Sequence, residues 1–155
     1  MTYRVVPLDA AVAADVRRTM TSPFGDLPAW SSVATGYGPC RSCLRTFREG
    51  EEDRIYITYD PFHGLSDLPQ PGPVFIHAEP CPAFEADDFP PRLLSIPMLF
   101  EAYGRHSSLL TSEPVEKERL NEQITRILRT PEVEFIHIRN AEAGCFVARI
   151  ERANC

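Results

Sequence analysis

Two cysteines close together in the sequence are the first feature able to carry chemistry. Cys40 and Cys43 form a Cys-x-x-Cys pair with Arg41 and Ser42 between them. Two thiols at this spacing can hold one metal ion or form a reversible disulfide, and the charge of Arg41 favours a thiolate. Cys40 and Cys43 are therefore candidate catalytic nucleophiles and candidate metal ligands. The alternative is that both pack as small, half-buried side chains.

A histidine and a further cysteine follow a short apolar stretch. With Cys40 and Cys43, the residues His77 and Cys81 would supply three thiolates and one imidazole, which is a tetrahedral zinc set. The long interval between Cys43 and His77 is compatible with such a site if two loops meet over a sheet. The sequence therefore indicates zinc as a possible cofactor. A thioredoxin-type fold is not expected, because a Gly- and Pro-containing loop precedes Cys40 and little room for a helix follows Cys43.

A third group of candidates lies near the C-terminal end of the chain. His137 and Arg139 share one face of a predicted strand, and Cys145 begins the next strand. With a loop over residues 140–144, Arg139 would pair with Cys145 across the hairpin and lower the pKa of the thiol. His137, Arg139 and Cys145 are therefore further catalytic candidates. The alternative is a structural hairpin in which Arg139 and His137 bond loop carbonyls and Cys145 packs.

The composition is that of a soluble, folded protein. The chain has 155 residues, of which 43% are hydrophobic and 25% charged, and this suits a single domain over residues 1–155. A net charge of −6 argues against general nucleic-acid binding, which needs basic surface. No apolar run approaches the ~20 residues of a membrane span, and the N-terminus shows no signal peptide. We therefore expect a cytoplasmic monomer or homodimer that does not bind membranes.

Hydrophobic periodicity predicts two main helices that help to position the candidate residues. They span residues 9–20 and 114–129, where apolar side chains recur on one face. Asp9 is a suitable N-cap for the first helix. Ser112 or Glu113 suits the second, with Pro114 in its first turn.

Alternating and apolar stretches predict several short strands. They span residues 3–7, 54–59, 73–77, 92–103, 109–110, 133–139 and 145–152. Pro97 falls inside one of them and is expected at an edge or a bulge. Short connections and hairpins between these elements predict an α+β fold, with a mostly antiparallel sheet packed by the two helices.

Several segments of the chain occur in an order shared with a known family. They are Pro39-Cys40-Arg41-Ser42-Cys43-Leu44, Tyr59-Asp60-Pro61-Phe62, Gly72-Pro73-Val74-Phe75-Ile76-His77 with Cys81, Arg92-Leu93-Leu94-Ser95, Ile136-His137-Ile138-Arg139-Asn140-Ala141, Gly144-Cys145-Phe146 and Arg149-Ile150-Glu151-Arg152. In this combination the chain resembles an uncharacterised bacterial family, domain of unknown function 1203, from Cys40 to Arg152. The stretch 96–100 departs from the family because it is more apolar and carries a proline. The resemblance implies one domain and brings no assigned activity, cofactor or partner.

Three functions remain open from the sequence. The first is a ligand-binding or interaction domain whose Cys, His and Arg residues form a cluster. The second is a zinc-binding protein that uses Cys40, Cys43, His77 and Cys81. The third is a thiol-based redox protein in which either Cys40 or Cys43 is the nucleophile and the other resolves the intermediate. Whether the protein is an enzyme, and which partner it has, does not follow from the residues.

Overall fold

The computed structural model describes residues 2–36, 38–62 and 72–153. Within this part of the chain, the elements in order are β1 (Tyr3–Val6), α1 (Ala10–Thr19), β2 (Trp30–Val33), β3 (Asp53–Tyr59), β4 (Gly72–His77), β5 (Met98–Tyr103), β6 (Leu109–Pro114), α2 (Leu120–Arg129), β7 (Phe135–Asn140) and β8 (Phe146–Arg152). Short 3-10 turns cover Pro91–Ser95, Arg105–Ser107 and Lys117–Arg119. Among these described elements, no helix is both long enough and apolar enough to span a bilayer. The fifth cysteine, Cys155, lies outside the described residues.

The strands form two separate sheets, and every pairing in them is antiparallel. The prediction of an α+β fold with two helices is confirmed, whereas a single sheet was expected. The chain divides into two compact units. We call Pro7–Phe84 the three-stranded unit, and Met1–Val6 with Glu85–Cys155 the five-stranded unit. That the whole chain is one domain stays a prediction.

The three-stranded unit has the sheet order β2-β3-β4. Strand β3 alternates as predicted, and β4 contains the predicted short apolar strand. The side chains of Ile55, Ile57 and Ile76 point into an apolar core. Ala13 and Val16 of α1 contribute to the same core. The Asp9 side chain accepts a hydrogen bond of 2.8 Å from the Ala11 N–H, which confirms the predicted N-cap. This core supports the ends of β3 and β4.

The five-stranded unit has the sheet order β1-β8-β7-β5-β6. Helix α2 buries Ile124, Ile127 and Leu128, as the predicted apolar stripe requires. The Arg152 guanidinium at the end of β8 donates to the carbonyl groups of Leu128 and Thr130 at the C-terminus of α2. These carbonyls have no partner inside the helix, so one side chain ties the last turn to the sheet.

The second helix begins later than predicted. Pro114 is the last residue of β6, where it pairs with Leu99, and α2 starts only at Leu120. The predicted caps Ser112 and Glu113 are therefore wrong, and no side chain caps the helix. A proline lacks the N–H group that a central strand needs, but it fits β6 because this strand lies at the edge of the sheet. The same property makes proline suitable for the first turn of a helix.

The predicted strand over residues 92–103 is half correct. A 3-10 turn covers Pro91–Ser95, and β5 starts at Met98, directly after Pro97. Pro97 therefore precedes the strand instead of interrupting it, and the irregular register lies between Ala102 and Tyr103. A proline at a strand boundary leaves the ladder of hydrogen bonds intact.

The register of the last hairpin differs from the predicted one. Arg139 pairs with Phe146 and not with Cys145, and the register shifts between Ile138 and Arg139. The turn closes through a hydrogen bond of 2.9 Å from the Asn140 N–H to the Cys145 carbonyl. Gly144 adopts a φ of +77°, which glycine tolerates best. The prediction that Arg139 lies opposite the Cys145 thiol is therefore wrong.

Candidate metal centre

Four side chains of the three-stranded unit meet at one point. They are the sequence-predicted ligands Cys40, Cys43, His77 and Cys81, and their ligand atoms all lie within 4.8 Å of one another. The Sγ atoms of Cys40 and Cys81 are 3.8 Å apart. The Cys43 Sγ atom lies 3.4 Å from His77 Nδ1. The long interval in the sequence is bridged by the fold, as the zinc hypothesis requires.

A tight turn presents the first two sulfur atoms. The Leu44 N–H donates to the Cys40 carbonyl at 2.8 Å, and the Cys40 N–H donates to the Arg45 carbonyl at 2.9 Å. Leu44 takes a φ of 58°, which reverses the chain directly after Cys43. The N–H groups of Cys43 and Arg45 donate to the sulfur atoms of Cys40 and Cys43, respectively. Such donors stabilise negative charge on sulfur.

The other two ligands come from the end of β4 and the segment after it. His77 is the last residue of β4 and pairs with Arg54 of β3. Its backbone N–H donates to Cys40 Sγ at 3.3 Å, so the strand end is bound to the turn. The imidazole ring packs against the Phe47 ring, with 4.6 Å between the ring centroids. Cys81 follows in a segment without helix or strand.

Two charged residues complete the surroundings and were not predicted. The Glu52 carboxylate lies 3.3 Å from His77 Nε2, and it accepts a second hydrogen bond of 2.7 Å from the Arg48 N–H. The Arg17 guanidinium of α1 donates to the His77 carbonyl at 3.1 Å and to Cys81 Sγ at 3.4 Å. Glu52 stands in an acidic run typical of solvated loops. No local signal separated either residue from its charged neighbours.

The groups of the cluster shift one another's protonation. The hydrogen bond with Cys40 lowers the pKa of Cys43, and the same partnership raises the pKa of Cys40. The hydrogen bond with Cys43, followed by that with Cys81, raises the pKa of His77 to about 10. The backbone hydrogen bond from Arg48 lowers the pKa of Glu52. The charge on each of these groups therefore depends on its neighbours, and a metal ion that bound them would displace protons.

Two of the separations between ligand atoms fit a tetrahedral metal ion. Zinc has bonds of about 2.3 Å to sulfur and about 2.0–2.1 Å to nitrogen, which place tetrahedral ligand atoms about 3.4–3.8 Å apart. The measured separations of 3.8 Å for Cys40–Cys81 and 3.4 Å for Cys43–His77 lie in this range. A histidine that ligates through Nδ1 and contacts a carboxylate through Nε2 has the second partner that metal-bound histidines usually have.

Replacing Glu52 with glutamine tests this second partner. We expect Glu52→Gln to weaken metal affinity by about 10–100-fold, because the carboxylate that orients His77 loses its charge. Glu51→Gln is the matched control, since Glu51 is largely exposed and its side-chain contact is Arg48 at 3.7 Å. Competition with a chromogenic zinc chelator measures both affinities. Equal affinities for the two variants would show that Glu52 has no positioning role.

The remaining candidate residues belong to the five-stranded unit. His137 is buried, with its ring 4.9 Å from that of Phe135 and 5.0 Å from that of Phe146. The Arg139 guanidinium donates to Glu101 at 2.9 Å and to the Gly144 carbonyl at 3.1 Å. The latter contact is the carbonyl bond expected of a structural hairpin. Cys145 is partly exposed, and its sulfur lies 3.9 Å from the Ala143 carbonyl oxygen.

Comparison with known proteins gives one match. The model of a family described as "Protein of unknown function (DUF1203)" matches residues 37–152. No curated protein and no solved structure matches significantly. The matched region contains all four residues of the cluster.

Proposed function

We propose that this protein binds zinc at Cys40, Cys43, His77 and Cys81. The chain belongs to the DUF1203 family of proteins of unknown function, so the proposal is drawn from its own residues. The observation that carries the proposal is the convergence of these four ligand atoms within 4.8 Å. Three thiols and one imidazole make a complete tetrahedral set from protein side chains alone. A complete set leaves no position for substrate, so the proposed zinc is structural.

The donor atoms favour zinc over other metals. Thiolate and imidazole ligands in a tetrahedral arrangement suit zinc, whereas calcium and magnesium prefer oxygen ligands. Three thiolates around a divalent ion leave a net negative charge. The guanidinium of Arg17, which donates to Cys81 Sγ, offsets that charge. The positive charge of Arg45 acts on Cys43 in the same direction.

The proposed zinc stabilises the three-stranded unit. Cys40 and Cys43 belong to the apolar core of this unit together with Ile55 and Ile76. A small sheet of three strands buries little apolar surface, and structural metals commonly supply the missing stability in such units. Binding free energy becomes folding free energy when the site exists only in the folded chain.

Metal content tests the proposal directly. We expect about one zinc per chain in untagged protein purified without chelators and analysed by mass spectrometry. Of the five cysteines, Cys40, Cys43 and Cys81 are expected to resist a thiol reagent until a chelator is added. Cys145 serves as the internal control, because its thiol is partly exposed and should react before chelation. Metal-free protein with all thiols reactive would refute the proposal.

A further inference from the structure

Cys81 differs from the other three residues of the cluster in its exposure. Cys40, Cys43 and His77 are buried, with 0%, 5% and 7% of their surface exposed, whereas Cys81 is partly exposed. Of the four residues, Cys81 is therefore the one that a small oxidant in solution reaches most easily. We propose that peroxide oxidises Cys81, and that a disulfide between Cys81 and Cys40 then releases the metal. This inference rests on the proposed zinc site.

The surroundings of Cys81 suit an initial reaction with peroxide. The Arg17 guanidinium, 3.4 Å from the sulfur, favours the thiolate, which is the reactive form. The same cation stabilises the hydroxide that leaves when the O–O bond breaks. Cys40 and Cys43 have the core of the unit around them, and the metal shields their sulfur atoms further.

The position of Cys40 suits the second reaction. Its sulfur lies 3.8 Å from that of Cys81, and a disulfide requires about 2.05 Å. Cys81 lies in a segment without helix or strand. At its two ends, the Ala78 N–H donates to the Asp53 carbonyl and the Phe84 N–H donates to the Ser42 carbonyl. Closing the remaining distance therefore displaces an irregular segment and leaves the β3–β4 pairing in place.

The reaction balances with peroxide as the oxidant. The Cys81 thiolate attacks one peroxide oxygen, an S–O bond forms, the O–O bond breaks, and hydroxide takes a proton to become water. The Cys40 thiolate then attacks the Cys81 sulfenic acid, an S–S bond forms, and the S–O bond breaks with loss of hydroxide, which takes a proton from solvent to become a second water. The two thiolates give up the electron pair that reduces the peroxide. Cys43 and His77 alone then hold the zinc, which dissociates.

This pair differs from the one in the sequence-based redox hypothesis. The Cys-x-x-Cys spacing would allow a disulfide between Cys40 and Cys43, but both sulfur atoms belong to buried residues. Oxidation that starts at Cys81 leads instead to the partner at 3.8 Å, which is Cys40. The two hypotheses therefore differ in the peptides that the disulfide joins.

Peroxide titration of the zinc-loaded protein tests the inference. Zinc content is measured first, released zinc is followed with a chromogenic chelator, and peptide mass spectrometry maps the disulfide. We expect release of one zinc for each hydrogen peroxide consumed, a Cys40–Cys81 disulfide, and recovery of binding after reduction. A dione probe for sulfenic acid is expected to label Cys81. A protein isolated without zinc would refute the proposed function. Zinc that stays bound throughout the peroxide titration would refute only this inference.

Two variants sharpen the result. Cys81→His keeps a zinc ligand but removes the oxidisable sulfur, so we expect zinc release at least about ten-fold slower than in the wild type. Cys145→Ser removes a thiol outside the cluster and is expected to release zinc at the wild-type rate. A Cys40–Cys43 disulfide as the first product would overturn the inference. The wild-type disulfide map decides the question even if Cys81→His binds no metal.

Discussion

Replacing Cys40 with serine is expected to remove zinc and to lower the free energy of unfolding by more than about 4 kcal/mol. Cys40 is fully buried, and its sulfur contacts both Cys81 and the backbone of His77. Serine is a poor zinc ligand, so the variant loses metal binding and the folding energy coupled to it. Thermal unfolding and metal analysis of the same preparation measure both effects.

Comparison with the metal-free wild type separates zinc binding from packing. If zinc accounts for the loss, chelation should bring the wild type close to Cys40→Ser, and the remaining difference should be about 1 kcal/mol, as for an ordinary core substitution. Cys145→Ser is the matched control outside the cluster. A thiol redox protein without metal would instead keep the melting temperature of its reduced form nearly unchanged in Cys40→Ser.

Replacing Arg139 with alanine is expected to cost about 3–5 kcal/mol of stability, because it leaves the Glu101 carboxylate without its buried cation. The side chains of Arg139 and Glu101 are 10% and 17% exposed, and their atoms lie 2.9 Å apart. Tyr103 donates to the same carboxylate at 2.6 Å. Burial, followed by this hydrogen bond, raises the pKa of Tyr103 to about 12. Urea unfolding measures the loss.

A double variant shows whether the loss comes from an unpaired charge. Glu101→Gln combined with Arg139→Met removes both charges and should recover much of the stability lost in Arg139→Ala. The exposed pair Arg119–Glu122, at 3.0 Å, is the surface control, and its loss should be much smaller. Equal costs for the buried and the exposed pair would contradict the electrostatic explanation.

The sequence was most informative where a local pattern decides the structure. Asp9 caps α1 because a carboxylate directly before a helix accepts a hydrogen bond from an unpaired N–H group of the first turn. Alternation in residues 54–59 identified β3, since one face of that strand is buried. Strand β2 escaped prediction because all four of its residues, Trp30–Val33, are exposed at the edge of the sheet. A strand without a buried face leaves no periodic signal.

Residue type and spacing identified the four candidate ligands in the sequence. Their convergence, which favours zinc binding over the other two functions, needed the fold. Only the antiparallel pairing of β3 and β4 brings His77 to the turn at Cys40. Arg17 and Glu52 contact the cluster from positions remote in sequence, 64 residues before Cys81 and 25 before His77. Conversely, the expected contact of Arg139 with Cys145 assumed a regular register, whereas a shift between Ile138 and Arg139 pairs Arg139 with Phe146.

The division of ligands between a turn and a strand end has a kinetic consequence. The turn with Cys40 and Cys43 is bonded to β4, because the Arg41 N–H donates to the Phe75 carbonyl at 3.0 Å and the His77 N–H donates to Cys40 Sγ at 3.3 Å. A zinc ion bound as proposed would therefore leave these three ligands only when the turn separates from the strand. We expect hydrogen exchange of the Arg41 and His77 amides to become faster when zinc is removed.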